Sequence, residues 1–151
     1  MVNKMSYEAL KMETGEIITD YTAHKLRSCG FNNWKQATDE PAPAMRTMRL
    51  LGRQFEDAYI AAFEDMTRNI NIEGQEAHEA ISNVSSVLFS NGIQWGRIIG
   101  LIVFAAKLSL KAMEANAPQQ VDNIVLWTTN HLKSEDFCEW ITQHGSWVSK
   151  A

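Results

Sequence analysis

The run Asn91-Gly92-Ile93-Gln94-Trp95-Gly96-Arg97-Ile98-Ile99-Gly100 sets a single cation at the mouth of an apolar segment. From Ile98 to Ala106 no residue is charged, which spells a buried helix whose first turn carries the Arg97 guanidinium. An uncompensated buried charge costs about 3–5 kcal/mol, so either water reaches this arginine or an anion meets it. The expected anion arrives on another protein; the bland alternative is that Arg97 caps or bridges neighbouring helices. Gly92, Gly96 and Gly100 recur every fourth residue and would let a neighbouring backbone or a ligand come close. The same spacing marks membrane helix pairs, but Gln94 and Arg97 interrupt the segment and the uncharged run is far shorter than a span of about 20 residues.

On both sides the pattern is helical. After Lys107 the central helix turns amphipathic, Lys107, Lys111 and Glu114 alternating with Leu108, Leu110 and Met113, and the whole element is expected over roughly Ile93 to Ala115. Upstream, Glu76 to Phe89 forms a helix broken by Ser90-Asn91-Gly92. Before it, a helix starting near Ala44 carries Met45, Met48, Leu51, Gly52 and Phe55, and its pattern continues through Tyr59, Ala62, Phe63 and Met66 to Asn69-Ile70-Asn71. The row Arg46, Arg49 and Arg53 reads as its solvated face. A first helix is expected from Glu16 to Leu26, ended by Ser28-Cys29-Gly30, and Phe31 to Pro43 is a connection rich in Asn, Asp and Pro. Downstream, Val121 to Leu132 is a further helix, and Ser134 to Lys150 holds two short pieces hinged at His144-Gly145. The fold class is therefore all-α: one domain over residues 1–151, with the least polar helix surrounded by amphipathic ones.

Composition narrows the function. A chain of 151 residues with 45% hydrophobic content is one globular domain with a real core. A net charge of −4 without a basic tract argues against a general nucleic-acid binder. Cys29 and Cys138 lie far apart with no ligand-spaced partner, so neither a disulfide scaffold nor a zinc site is signalled and a reducing compartment is expected. His24, His78, His131 and His144 lack metal-site spacing. No nucleophile motif, phosphate loop or paired carboxylates stand out, so neither an enzyme nor a cofactor is expected. The N-terminus lacks the apolar core of a secretory signal.

Four motifs in order give the chain, from about Thr14 to Trp147, a likeness to a known family. Asn91 to Arg97 is similar to the first homology motif of the Bcl-2 family of apoptosis regulators, usually Asn-Trp-Gly-Arg, with Gln94 in place of Asn. Trp140-Ile141 with Gly145-Ser146-Trp147 resembles the second, Ser146 departing from a glycine. Met48 to Glu56 resembles the third, and Gly15 to Tyr21 with His24-Lys25-Leu26 the fourth. Trp95, Trp140 and Trp147 are expected to be structural.

The resemblance implies a pro-survival regulator that holds the amphipathic death-signal helices of pro-apoptotic relatives in a hydrophobic groove. Apolar anchors worth about 1.5–3 kcal/mol each hold such a helix, and Arg97 pairs with its acidic residue. The groove residues carried over are Phe55, Tyr59, Phe63, Met66, Val84, Leu88, Asn91, Gln94, Gly96, Arg97 and Phe104. Asn91 stands where the family often has an acid. In the third motif, death-signal donors carry Leu-x-x-x-Gly-Asp, whereas here Arg53 replaces the aspartate, which would set like charges together in a partner's groove. The chain thus reads as a receiver and a poor donor. The alternatives are a pore-forming effector of the same fold and a homodimeric helical module with an occluded groove. The resemblance further implies a cytoplasmic protein, at most peripheral to the outer mitochondrial membrane; family members often end in a hydrophobic tail anchor, and with this chain stopping four residues past Trp147 the expectation is that such a tail was either removed or never present. Its short loop between Ser28 and Pro43 is similar to that of viral members.

Overall fold

A computed structural model describes residues 4–147. Among them run α1 (Lys4–Ser28), α2 (Pro43–Ala58), α3 (Ile60–Thr67), α4 (Glu76–Leu88), α5 (Trp95–Glu114), α6 (Pro118–Leu132) and α7 (Glu135–Gln143). The expected all-α bundle is what forms. Helix α5 is its axis: every residue from Ile98 to Ala106 is buried, and α1, α2, α3, α4 and α6 all pack against it. A helix walled on all sides needs no polar face, which is why this segment carries no charge.

Helix α1 departs from expectation by starting well before Glu16. Gly15 suggests a boundary, yet a Cβ there would meet only Thr129 Cγ2 at 3.6 Å, so the glycine lies inside the helix where α1 passes α6. The preceding turn is held by Leu10, packed on the core, and by Thr14, which accepts a hydrogen bond from Trp147 Nε1 at 2.9 Å. The long amphipathic run from Ala44 to Met66 also divides. Tyr59, at φ −124° and ψ 27°, leaves helical geometry and separates α2 from α3.

Helix ends follow their sequence signals. Gly30 (φ +93°) ends α1, with Phe31 N donating to Leu26 O at 2.8 Å and Gly30 N to Arg27 O at 3.0 Å, a Schellman closure. Asn116 (φ +58°) closes α5 in the same way through Ala117 N to Ala112 O. The hinge foreseen at His144-Gly145 ends α7, Gly145 and Ser146 both taking positive φ. Most of the second C-terminal piece, residues 148–150, lies outside the described residues.

The arginine row is not a uniformly solvated face. Arg49 forms a bidentate pair with Asp20 of α1 (Nε to Oδ2 2.9 Å, Nη2 to Oδ1 2.7 Å) and also donates to Thr38 O at 2.9 Å. Arg46 bonds Pro41 O, and only Arg53 keeps an exposed side chain without a bond of this kind. A second pair, Lys25 to Glu56 at 2.6 Å, sits beside the first, so α2 is locked to α1 by two largely buried ion pairs. Burial, then Glu56 and Asp57, push the neighbouring Tyr21 phenol well up.

The connection at 31–42 is irregular, as expected, and is tied to the helices by side-chain hydrogen bonds. Arg27 donates to Ala37 O, Arg49 to Thr38 O, and Trp34 Nε1 to Asp122 Oδ1 of α6 at 3.0 Å. The tryptophans are structural: Trp95 packs edge-on to Trp140 at 5.0 Å and tilted to Trp147 at 5.5 Å, joining the start of α5 to α7 and the chain beyond it.

Candidate functional site: an apolar hollow beside Arg97

The site begins at Gly100. The Phe55 ring of α2 packs against it, its atoms 3.4–3.5 Å from where a Cβ would stand, which is ordinary van der Waals contact. Phe55 in turn packs against Tyr59 at 4.9 Å and Phe63 at 6.0 Å between ring centres. Around this cluster α2, α3, α4 and α5 enclose a hollow of about 170 Å³, lined by Phe55, Tyr59, Ala62, Phe63, Met66, Val84, Leu88 and Gly100. Tyr59 and Met66 keep 54% and 42% of their surface exposed, so apolar area reaches solvent at the rim.

Six of the eleven expected groove residues therefore meet: Phe55, Tyr59, Phe63, Met66, Val84 and Leu88. Phe104 does not join them. It is 1% exposed, one turn beyond Gly100 and inside the core, because α5 is walled in at that depth. Asn91, Gln94, Gly96 and Arg97 lie outside the hollow, toward the N-terminal end of α5. Of the three spaced glycines, Gly92 precedes the helix, Gly96 faces open space and only Gly100 receives a neighbour. Ala62 and Gly100 are lining residues that the sequence reading left out. Ala62 is three residues from Tyr59 and four from Met66, a helical spacing that would have found it.

Arg97 is half-buried. Its Nη1 donates to Gly92 O at 2.9 Å, and no ion pair joins it to a carboxylate among the described residues. It stands three positions from Gly100 on α5, close in rotation around the helix and one turn nearer its start. A half-buried guanidinium with one backbone partner retains donors for a carboxylate.

At about 170 Å³ the hollow is smaller than the roughly 300 Å³ of ordinary ligand pockets, and it matches a single large side chain. A helix setting several anchors must widen the seam between α3 and α4. A larger hollow, about 690 Å³, lies between α1, the 31–42 connection and α6. Its lining carries Glu16, Asp20, Asp122 and Lys35, with the Asp20 carboxylate already paired to Arg49, and no arginine lines it to receive a ligand carboxylate.

The fold is an all-helical bundle built on one apolar helix, with an arginine at its mouth and an apolar hollow beside it. The Bcl-2 family of apoptosis regulator proteins matches residues 48–147, and the chain belongs to that family. It is 28% identical to chicken Bcl-2-like protein 1 over 133 residues, 88% of this chain and 56% of that protein. It is 23% identical to human Bcl-2 homologous antagonist/killer over 104 residues, 69% of this chain and 49% of the relative. The chain spans about half the length of the curated relatives it matches. Among solved structures, chicken BOK superposes with a TM-score of 0.81 at 22% identity, covering 93% of each chain. Trichoplax adhaerens trBcl-2L2 bound to trBak BH3 superposes at 0.80 and 23% identity, covering 92% of this chain and 95% of that one. Among the described residues, no helix is long and apolar enough to cross a membrane.

Proposed function

We propose that the chain is a pro-survival regulator that captures the amphipathic BH3 helices of pro-apoptotic relatives, with Arg97 pairing to the ligand's acidic residue. The observation that carries this reading is the Arg97 guanidinium, half-buried without a carboxylate partner, one turn from the apolar hollow over Gly100. Phe55, Tyr59, Ala62, Phe63, Met66, Val84 and Leu88 receive the ligand's apolar anchors, and Asn91, Gln94 and Gly96 line the rim toward Arg97. The fold neighbour trBcl-2L2 was solved with a BH3 segment bound, which supports a helical ligand. Arg53 supports the receiving role: with a cation where donors carry aspartate, α2 would meet a partner's groove arginine with like charge. Anchor burial holds the ligand, and the charge pair fixes its register.

Titration of the purified chain with a Bak BH3 peptide tests the reading. Arg97→Ala is expected to weaken capture by about 2–5 kcal/mol while the circular dichroism spectrum stays helical. Equal affinity of the variant and the parent would remove the mechanism. Liposome permeabilisation by the chain alone would instead favour a pore-forming effector.

A further inference from the structure

The hollow between α1, the 31–42 connection and α6 measures about 690 Å³, against about 170 Å³ beside Arg97, and the two share no lining residue. Its size falls within the range of about 300–1,000 Å³ in which small-molecule sites occur. The floor is apolar, with Ala23 of α1 and Val125 of α6 buried, and the exposed Met12 and Leu126 extend it to the rim. Trp34 of the connection donates through Nε1 to Asp122 Oδ1 at 3.0 Å, and Thr38 O is held by Arg49 at 2.9 Å. The connection runs from the end of α1 to that bond on α6, so it closes one end of the seam between the two helices. A seam blocked at one end suits a compact ligand and stops a helix from lying along its whole length. Carboxylates outnumber cations on the lining, Glu16, Asp20 and Asp122 against Lys35. Arg49 already takes both oxygens of Asp20, and Lys35 Nζ lies over the Trp34 ring, 5.2 Å from its centroid. Glu16, exposed at the rim, enters no ion pair among the described residues. One turn before it, the Glu13 carboxyl is pushed up by burial and then by the Glu16 charge, so negative potential gathers on this side of the hollow.

We propose that this hollow binds a small apolar amine, its body resting on Ala23, Val125 and Trp34 and its ammonium on the Glu16 carboxylate at the rim. Burial of the apolar body supplies the attraction, and the Trp34 ring gives an aromatic body a face to stack on. The ammonium stays at the mouth, where water reaches it, and makes a charge-assisted hydrogen bond to Glu16 without a full desolvation cost. A neutral ligand of the same shape gains the burial alone. An acid of that shape meets an excess of carboxylates and no arginine. The site lies on α1 and α6, away from the hollow over Gly100, and does not rest on the groove reading above.

Titrating the isotope-labelled full chain by nuclear magnetic resonance with naphthylmethylamine, naphthylmethanol and naphthylacetic acid tests the proposal. The amine is expected to shift the Trp34 Nε–H resonance and the Ala23 and Val125 amides saturably. It should bind roughly threefold to tenfold tighter than the alcohol, with the acid weakest and the gap narrowing at high salt. Glu16→Gln is expected to bring the amine down to the affinity of the alcohol and to leave the alcohol unchanged; the side chain is exposed, so the fold is kept. Equal affinity of amine and alcohol for the parent, or a preference for the amine that survives Glu16→Gln, overturns the pairing. Shifts that fail to saturate, or that gather at Phe55 and Tyr59, overturn the site. A basic amphipathic peptide of Lys and Leu that displaces the amine while shifting amides along the whole of α1 and α6 would make the seam a helix-docking surface and overturn the small-ligand assignment.

Discussion

Gly52 lies where α1 and α2 cross, and a Cβ there would stand 2.3 Å from Tyr21 Cε1. Tyr21 is 3% exposed and has little room to swing away. Gly52→Ala is therefore expected to cost about 2–3 kcal/mol, read as a lower urea midpoint at unchanged slope. An unchanged midpoint would mean that the ring yields freely. The third-motif glycine thus has a packing role here whatever the chain binds. Its neighbour Arg53 stays exposed on the opposite charge logic to a donor helix. Arg49, four residues before Arg53, was unreadable from the pattern: its partner Asp20 is 29 residues away, and only the α1–α2 crossing brings them together.

Helix α3 is the element on which the proposed capture turns. It has only eight residues, starts at the non-helical Tyr59, and is clasped to α5 by two lysines. Lys107 pairs with Glu64, and Lys111 donates to the closing carbonyls Thr67 O and Arg68 O. The hydrogen bond from Lys107 and its charge hold the Glu64 carboxyl below its ordinary range. If a BH3 helix must part α3 from α4, this clasp opposes it. Lys111→Ala is expected to lower stability by about 1 kcal/mol. It should also tighten capture of a Bak BH3 peptide by roughly threefold to tenfold, because less free energy is spent opening the seam. Calorimetry on both chains reads the two effects, and weaker capture by the variant would show that the clasp shapes the groove instead of closing it.

Across the whole molecule, two histidines tie helix packing to pH. His24, between α1 and α2, is held below its ordinary range by burial, then by Arg49 and Arg27, with Asp20 opposing and Arg53 adding. His131 of α6, beside Ser82 of α4, is lowered by burial and by His78. Both are neutral in the fold, whereas the unfolded chain takes up their protons near pH 6.5. The unfolded state then binds more protons, so stability is complete above about pH 6.5 and is lost as pH falls toward the depressed folded values. Glu64 adds a loss in the same direction at lower pH. Melting temperature is expected to fall as pH drops below about 6.5, with His24→Gln and His131→Gln each flattening the slope. A flat profile in the parent would mean that neither interface excludes the proton.

The central helix, the amphipathic partners, the hinge at Gly145 and the apolar helix face that carries Phe55, Tyr59, Phe63 and Met66 were legible along the chain. Each rests on periodicity or turn chemistry, which are local and survive without neighbours. Folding alone settled what depends on residues distant in sequence. It put Phe104 inside the core, drew Arg49 from solvent to Asp20, ran α1 through Gly15 and broke the long helix at Tyr59. The size of the hollow is of the same kind, because a cavity is the space several helices leave between them and no single helix encodes it. Arg97 joins the two: its charge is written in the chain, and its lack of a carboxylate follows from which side chains the bundle brings near.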